Sequence, residues 1–256
     1  MLLVCAAACS ASTQPSPASP ATPPAAPAAV QSRAPSIQTQ SIAPGVWVHT
    51  SHHEIPGAGT FPSNGLVVKG TQGAVIIDTA WGLEPTAELL DWASHEAGSV
   101  SAIVVTHWHD DRTSGLPEAH QRGIKSYASS KTIEEAKRHG APVPSHSLEE
   151  LATLAALGIE GETFYPGPGH TDDNLVVWLP TSQVLFGGCL VKAASATSLG
   201  YVADASVATW PSSVRAVEER YPSARVVVPG HGDAGGRELL EHTRALAEAA
   251  GAAGTK

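Results

Sequence analysis

Cysteine is scarce in this sequence. Three occur among 256 residues, and two of them, Cys5 and Cys9, fall within the first ten. Cys189 stands alone in the rest of the chain, where no internal disulfide can form. Basic residues are few as well: 15 Lys and Arg face 24 Asp and Glu, for a net charge of −9. They form no cluster, which excludes an obvious nucleic-acid surface. No apolar run approaches the roughly 18–20 residues that a membrane-crossing helix needs. A Gly-x-Ser-x-Gly elbow is missing too, so nothing points to a serine nucleophile. What is present, 42% hydrophobic and 15% charged residues, is the composition of a globular protein. The length suffices for one large or two small domains.

The N-terminus, Met1-Leu-Leu-Val-Cys-Ala-Ala-Ala-Cys9, reads as the end of a secretory apolar segment, although no basic residues precede it. Ala6-Ala7-Ala8-Cys9 loosely matches a bacterial lipoprotein processing box, which would make Cys9 a lipid anchor; a plain cleaved signal is the alternative. Residues 10–35 are mostly Ala, Pro, Ser and Thr, with Arg33 their only charged side chain. Such a segment cannot bury enough apolar surface to fold, and reads as a disordered tether. The expected organisation is a signal or lipoprotein segment at 1–9, a tether at 10–35 and a folded domain at 36–256. The expected location is the periplasm of a Gram-negative bacterium, with the membrane as attachment point.

Apolar runs rich in β-branched residues predict strands at 45–50, 65–68, 74–78 and 102–105. Helical periodicity follows at 84–97, with Leu89, Leu90, Trp92 and Ala93 on one face. A second helix is predicted at 131–139, ended by Gly140-Ala-Pro-Val-Pro144. Further strands are predicted at 162–165, 174–179, 184–187 and 225–228, and helices at 206–220 and 237–250. The pattern, in two roughly similar halves, predicts an α+β fold of two packed sheets with helices outside.

The chemistry begins after the buried run Ile103-Val104-Val105, where His107-Trp108-His109-Asp110-Asp111 leaves a strand end. Two imidazoles and a carboxylate at alternate positions suit zinc, which binds His, Cys and carboxylate groups. A lone histidine is usually structural; this grouping favours ligands. His170 follows Pro166-Gly-Pro-Gly, a rigid irregular turn. Cys189 follows Leu185-Phe-Gly-Gly at another strand end, where glycine allows close backbone approach. His231 follows Val226-Val-Val-Pro-Gly. If the four turns converge, six ligands result, enough for two zinc ions. His52, His53, His95, His120, His139, His146 and His242 lack such settings.

Taken together these segments resemble the metallo-β-lactamases, and within them the dizinc subclass B1. Phe61-Pro-Ser-Asn-Gly-Leu66, Ile77-Asp-Thr-Ala-Trp-Gly82, Thr106-His-Trp-His-Asp-Asp-Arg112, Leu185-Phe-Gly-Gly-Cys-Leu-Val-Lys192 and Pro229-Gly-His-Gly232 carry the likeness, which runs from about residue 42 to 242. Other hydrolases of the superfamily carry histidine where Arg112 stands, and a bridging aspartate where Cys189 stands. His107 in place of Asn argues against the mono-zinc subclass.

The resemblance implies an αββα sandwich, two mixed β-sheets flanked by helices, with the site at one sheet edge. It implies two zinc ions, one held by His107, His109 and His170, the other by Asp111, Cys189 and His231. Asp111, Lys192 and Tyr201 would serve catalysis. Phe61, Trp81, Lys192 and Tyr201 would meet the substrate, with Lys192 on its carboxylate. Asp78 would orient the histidine loop, Arg112 would balance the charge of Asp111 and Cys189, and Asp110 would support them from behind. Residues 51–63 would form a mobile flap, made more polar by His52 and His53. Tyr201 is a departure, since the family often has an asparagine there that polarises the lactam carbonyl; a phenol could donate similarly or point away. Ser114 departs too, where many relatives have glycine.

The implied activity is hydrolysis of the amide bond of penicillins, cephalosporins and carbapenems by a zinc-activated water, conferring antibiotic resistance. The expected partner is the β-lactam alone, with no nucleic acid and a monomeric chain. The alternatives are a lactonase or thioesterase of the same fold, or a non-enzymatic zinc-binding envelope lipoprotein.

Overall fold

Residues 36–151 and 153–254 are described by a computed structural model. The expected signal or lipoprotein segment at 1–9, with Cys5 and Cys9, and the expected tether at 10–35 fall outside the described residues.

Two sheets form the centre. The larger joins β1 (Ile37–Ala43), β2 (Val46–Ile55), β3 (Gly59–Gly70), β4 (Gly73–Ile77), β5 (Val100–Val104), β6 (Lys125–Ala128) and β7 (His146–Ser147) in chain order. Its first four strands run antiparallel and its last four, from β4 on, parallel. The smaller sheet has the order β11-β10-β9-β8, from β8 (Glu162–Phe164), β9 (Val176–Leu179), β10 (Val184–Gly188) and β11 (Val226–Pro229). Only β10 and β11 are parallel there. Both sheets are mixed. The halves are nonetheless unequal, seven strands against four, which the sequence pattern did not resolve.

The strand runs are continuously apolar because both faces of each sheet are covered. Alternation then sorts the residues by layer. Leu66, Val68, Val75, Ile77 and Val104 face the smaller sheet and pack with Val177, Leu179, Phe186 and Val228. Their neighbours Val67, Ala74, Ile76 and Ile103 turn outward and meet Leu89, Leu90 and Ala93 of α1 (Leu83–Glu96) and Leu116 of α3 (Leu116–Gln121). On the far side, Val176, Trp178 and Leu185 pack against Trp210, Val214 and Val217 of α5 (Trp210–Arg220) and Leu239 and Leu240 of α6 (Glu238–Gly254). The result is an αββα sandwich. Truncating a fully buried leucine such as Leu66 would cost about 2–5 kcal/mol.

Local chemistry explains most boundaries. The Ser129 side chain accepts the Thr132 N–H, and Gly140 takes a left-handed conformation, so α4 spans Ser130–His139. The helix predicted from residue 206 starts only at Trp210. A start at 206 would set Pro211 beyond the first turn, where its missing N–H and its ring would break the ladder. Residues 206–209 instead form turns closed by Trp210 N–H on Ser206 O at 3.0 Å. The strand predicted from 174 begins at Val176, because the Asn174 side chain is committed to its own loop.

Five pieces carried too little pattern to be foreseen. β1 is an exposed polar edge, β6 and β7 are short, and α2 (Asp110–Thr113) and α3 are one or two turns long.

Candidate metal centre

The site collects where strands end. β4, β5, β10 and β11 deliver Asp78, the 105–109 loop, Cys189 and Gly230-His231 to one edge of the sandwich. Leu175 N–H donates to Thr106 O at 2.9 Å and so fastens the His170 loop to the His107 loop. Gly230 is required for this approach. A Cβ there would sit 2.6 Å from Cys189 Sγ and 2.8 Å from an Arg112 nitrogen.

His107, His109 and His170 converge. Their ring centroids lie 4.9–5.0 Å apart in every pairing, with interplanar angles of 74°, 90° and 85°. His109 Nδ1 is 3.0 Å from His170 Nε2. Buried His107 Nε2 has no hydrogen-bond partner among the described residues. A buried nitrogen left in this way is costly unless something else engages it. Burial holds the pKa of His107 and His170 well below the ordinary histidine value, so both are neutral and their lone pairs are free.

Beside them stands a second trio. Asp111 Oδ2 is 3.3 Å from His231 Nε2 and 3.5 Å from Cys189 Sγ, and Cys189 Sγ is 3.2 Å from His231 Nε2. The one-turn helix α2 separates the two groups. It carries Asp111, whose Oδ1 lies 3.9 Å from His107 Nε2. His107 is the hinge, within 4.8 Å of ligand atoms from His109 and Asp111 and from His170 and Cys189. Nitrogen, sulfur and carboxylate oxygen at this spacing fit zinc.

Arg112 is fully buried beneath the second trio. Its Nη2 lies 2.9 Å from both Asp111 Oδ2 and Cys189 Sγ, and Asp78 Oδ2 stands 3.6 Å from Nη1. Burial would lift the Asp111 carboxyl, but Arg112, His231 and His107 together outweigh it and hold it well below the usual range. Asp78 is pushed up to about 7 by burial, against the pull of Arg112. It accepts Thr106 N–H at 2.7 Å and Thr106 Oγ1–H at 2.8 Å, which fixes the start of the histidine loop. Partial burial would lower His231, yet Cys189 and Asp111 raise it to about 10.

The rim holds the other expected residues. Lys192 follows Cys189, with Nζ 5.1 Å from the Trp210 ring centroid, and burial lowers its pKa. Asp110 does not touch the ligands; it accepts Trp81 Nε1–H at 3.3 Å. Trp81 stacks on His53 at 4.6 Å and stands edge-on to His231 at 6.5 Å. Ser114 Oγ accepts Gly82 N–H at 2.9 Å, fixing the turn into α1. Phe61 is exposed on the β2–β3 hairpin and pairs with His53 across it. The tip turns at Ala58 N–H to Ile55 O, with positive φ at Gly57 and Gly59. Tyr201 is 61% exposed, with its ring edge-on to His109 at 5.7 Å between centroids.

Residues without a sequence signal complete the site. His231 Nδ1 donates to Pro62 O at 2.5 Å, and Asn64 Nδ2 donates to Pro229 O and Gly232 O. Asp204 Oδ2 accepts from His109 Nε2 at 3.1 Å. Buried His49 reaches Asp78 O with Nε2 at 3.1 Å. His95, His120, His139, His146 and His242 pair elsewhere, with Glu96, Ser126, Trp108, Tyr127 and Ala196.

Known proteins agree with this geometry. The profile of the Metallo-beta-lactamase superfamily matches residues 58–231. A metallo-beta-lactamase type 2 of Bacteroides fragilis is 41% identical over 211 residues, covering 82% of this chain and 85% of that one. One of Pseudomonas aeruginosa is 35% identical over 215 residues, covering 84% and 86%. A metallo-beta-lactamase structure from Pontibacter korlensis superposes with a TM-score of 0.79 at 41% identity, over 83% of this chain and 99% of that one. The DIM-1 metallo-beta-lactamase exposed to ceftazidime gives 0.80 at 38%, over 85% and 99%. Fold, ligand chemistry and relatives coincide, and the chain belongs to the metallo-β-lactamase superfamily, in its B1 type.

Proposed function

We propose that this chain is a zinc-dependent β-lactamase that opens the amide bond of penicillins, cephalosporins and carbapenems and so confers resistance to them. The observation that carries the reading is the pairing of three mutually steep imidazoles around the partnerless His107 Nε2 with the Asp111, Cys189 and His231 trio. His107, His109 and His170 would hold one ion, and Asp111, Cys189 and His231 a second.

Zinc, when bound, polarises a carbonyl oxygen and brings the acidity of water near neutrality. The chain's own groups do the rest. Lys192 receives the substrate carboxylate. Arg112 keeps Asp111 ionised and offsets the charge of a Cys189 thiolate, so the second trio binds metal without a large net charge. Pro62 fixes the angle of His231, and Asp78 that of the histidine loop. Phe61 and Trp81, both neighbours of His53, offer apolar surface at the rim, and the hairpin shields the bond under attack. The lactam C–N bond breaks, the acyl carbon gains hydroxyl and the nitrogen gains the proton. No group of the chain becomes acylated.

An exported enzyme suits this reading. Cys189 has no cysteine partner among the described residues, so an oxidising periplasm leaves it free of internal pairing, and attachment through Cys9 would keep the enzyme near the cell wall. Hydrolysis of a chromogenic cephalosporin, with and without a chelator, tests the activity. Turnover that a chelator abolishes and zinc restores is expected. A zinc-loaded protein with no turnover overturns the proposal.

A further inference from the structure

Trp108 lies between two candidate ligands in the chain, yet neither trio uses it. Its backbone is held from two sides. The N–H donates to buried Asp173 Oδ2 at 3.1 Å, from the His170 loop, and the carbonyl accepts Thr113 Oγ1–H at 3.2 Å, from α2. These bonds fix where the side chain starts and leave its own torsions free. The indole makes two ring contacts among the described residues. One is with His109, T-shaped at 75° with 4.4 Å between centroids. The other is with His139, the last residue of α4, stacked at 3.9 Å and 13°.

The surroundings give the second contact a consequence. A cavity of about 250 Å³ opens beside the indole, lined in part by Trp108, Glu135, His139 and Asp204. An indole with no ring on its face has room to turn into that space, and its packing against His109 would go with it. His139 is well placed to prevent this. Glu135, one turn earlier and 8% exposed, has Oε2 3.6 Å from His139 Nε2. The left-handed Gly140 closes the helix on Ala136 O and Lys137 O. The imidazole therefore stands on a stiff platform. A histidine at a helix end also has an ordinary explanation, its attraction to the carbonyls of the last turn. That role needs no ring laid flat on Trp108, and phenylalanine could not fill it.

We propose that His139 is a positioning residue for the three-histidine site: stacked on Trp108, it holds the indole against His109 and keeps it out of the adjoining cavity. The inference rests on the zinc β-lactamase reading and brings α4, which supplies no ligand, into the support of the metal.

The test uses the metal-free full chain, titrated with zinc against a chromophoric chelator, and with cobalt(II) as a spectroscopic probe. His139→Ala, His139→Phe, Trp108→Ala and the double variant His139→Ala/Trp108→Ala are compared with the parent. The His139 side chain is 36% exposed at a helix end, so its truncation leaves the fold intact. His139→Ala should weaken zinc binding at the three-histidine site about 2–10-fold, the equilibrium equivalent of one stacked ring pair. Its cobalt ligand-field bands should shift while the thiolate charge-transfer band of Cys189 stays put. His139→Phe keeps a ring and loses the base, so parent affinity and parent bands are expected. The double variant should be no weaker than Trp108→Ala, because the imidazole acts through the indole. Unchanged affinity and bands in His139→Ala would overturn the proposal. So would a His139→Phe variant as impaired as His139→Ala, or additive losses in the double variant. Neither metal readout needs a lactam: a parent that binds zinc but hydrolyses none defeats the enzymatic reading alone.

Discussion

Arg112 Nη2 lies 2.9 Å from Cys189 Sγ and the same distance from Asp111 Oδ2. One buried cation serves two ligands that approach from different sheets. Its other contacts, to Asn64 O and Gly230 O, bring in the β3 strand and the His231 loop.

Arg112→Ala should therefore cost more than a surface charge. Removing one partner of a buried ion pair typically costs about 3–5 kcal/mol. Urea unfolding of the metal-free protein should show a loss of that order. Arg112→Lys keeps the charge but not the forked geometry, and should recover part of it. An unchanged midpoint in Arg112→Ala would show that the pairing contributes no stability.

Cys189→Ser should lose the second ion and keep the first. A hydroxyl is a poorer zinc ligand than a thiolate, while the three histidines are untouched. Elemental analysis after gel filtration should find about half the parent's zinc, and turnover should fall sharply. Parent-like zinc content with parent-like rate would refute the division of the six ligands.

Lys192→Ala should raise KM more than it lowers kcat, since the proposed role of the ammonium is to bind the substrate carboxylate. A charge-assisted hydrogen bond of this kind is worth about 1.5–3 kcal/mol, so KM should rise about tenfold or more. Steady-state kinetics on several lactams would decide. A constant KM would remove Lys192 from the binding site.

His49 should set part of the acid limit of stability. Burial lowers its pKa from 6.5 to about 4, so between these values the unfolded chain takes up the proton and the folded one does not. Its contribution is complete above pH 6.5 and is lost as pH falls through 4. The gap corresponds to about 3 kcal/mol. Asp78, pushed up to about 7, acts in the opposite sense: its contribution is present below 3.8 and is lost as pH rises through 7. His49→Gln should flatten the acid limb of the metal-free protein between pH 6.5 and 4. Superimposable limbs for parent and variant would exclude this role.

Much of the architecture was legible because the central strands of both sheets are apolar on both faces. Runs such as Ala74-Val-Ile-Ile77 and Val226-Val-Val228 need no alternation to be read. The six candidate ligands were legible for a related reason, since each follows a strand closely enough for the run to mark its place. The missing parts are those set only by contacts between distant segments. Asp204 meets His109 across 95 positions from a loop without periodicity. His49 is hidden within β2, and Gly65 leaves room for its ring: a Cβ there would stand 2.2 Å from Nε2. Pro62 contributes a carbonyl, which no side-chain pattern can announce.

β3 leads a double life along its length. From Pro62 to Asn64 it is bound to the His231 loop and to Asp111 O, whereas from Gly59 to Phe61 it is exposed and belongs to the hairpin tip. Selection can therefore act on the two stretches separately. Replacements at the tip meet solvent and leave the packed stretch untouched. Replacements three residues further on would disturb the contacts that hold the His231 loop, so tolerated changes should accumulate on the tip side of Pro62.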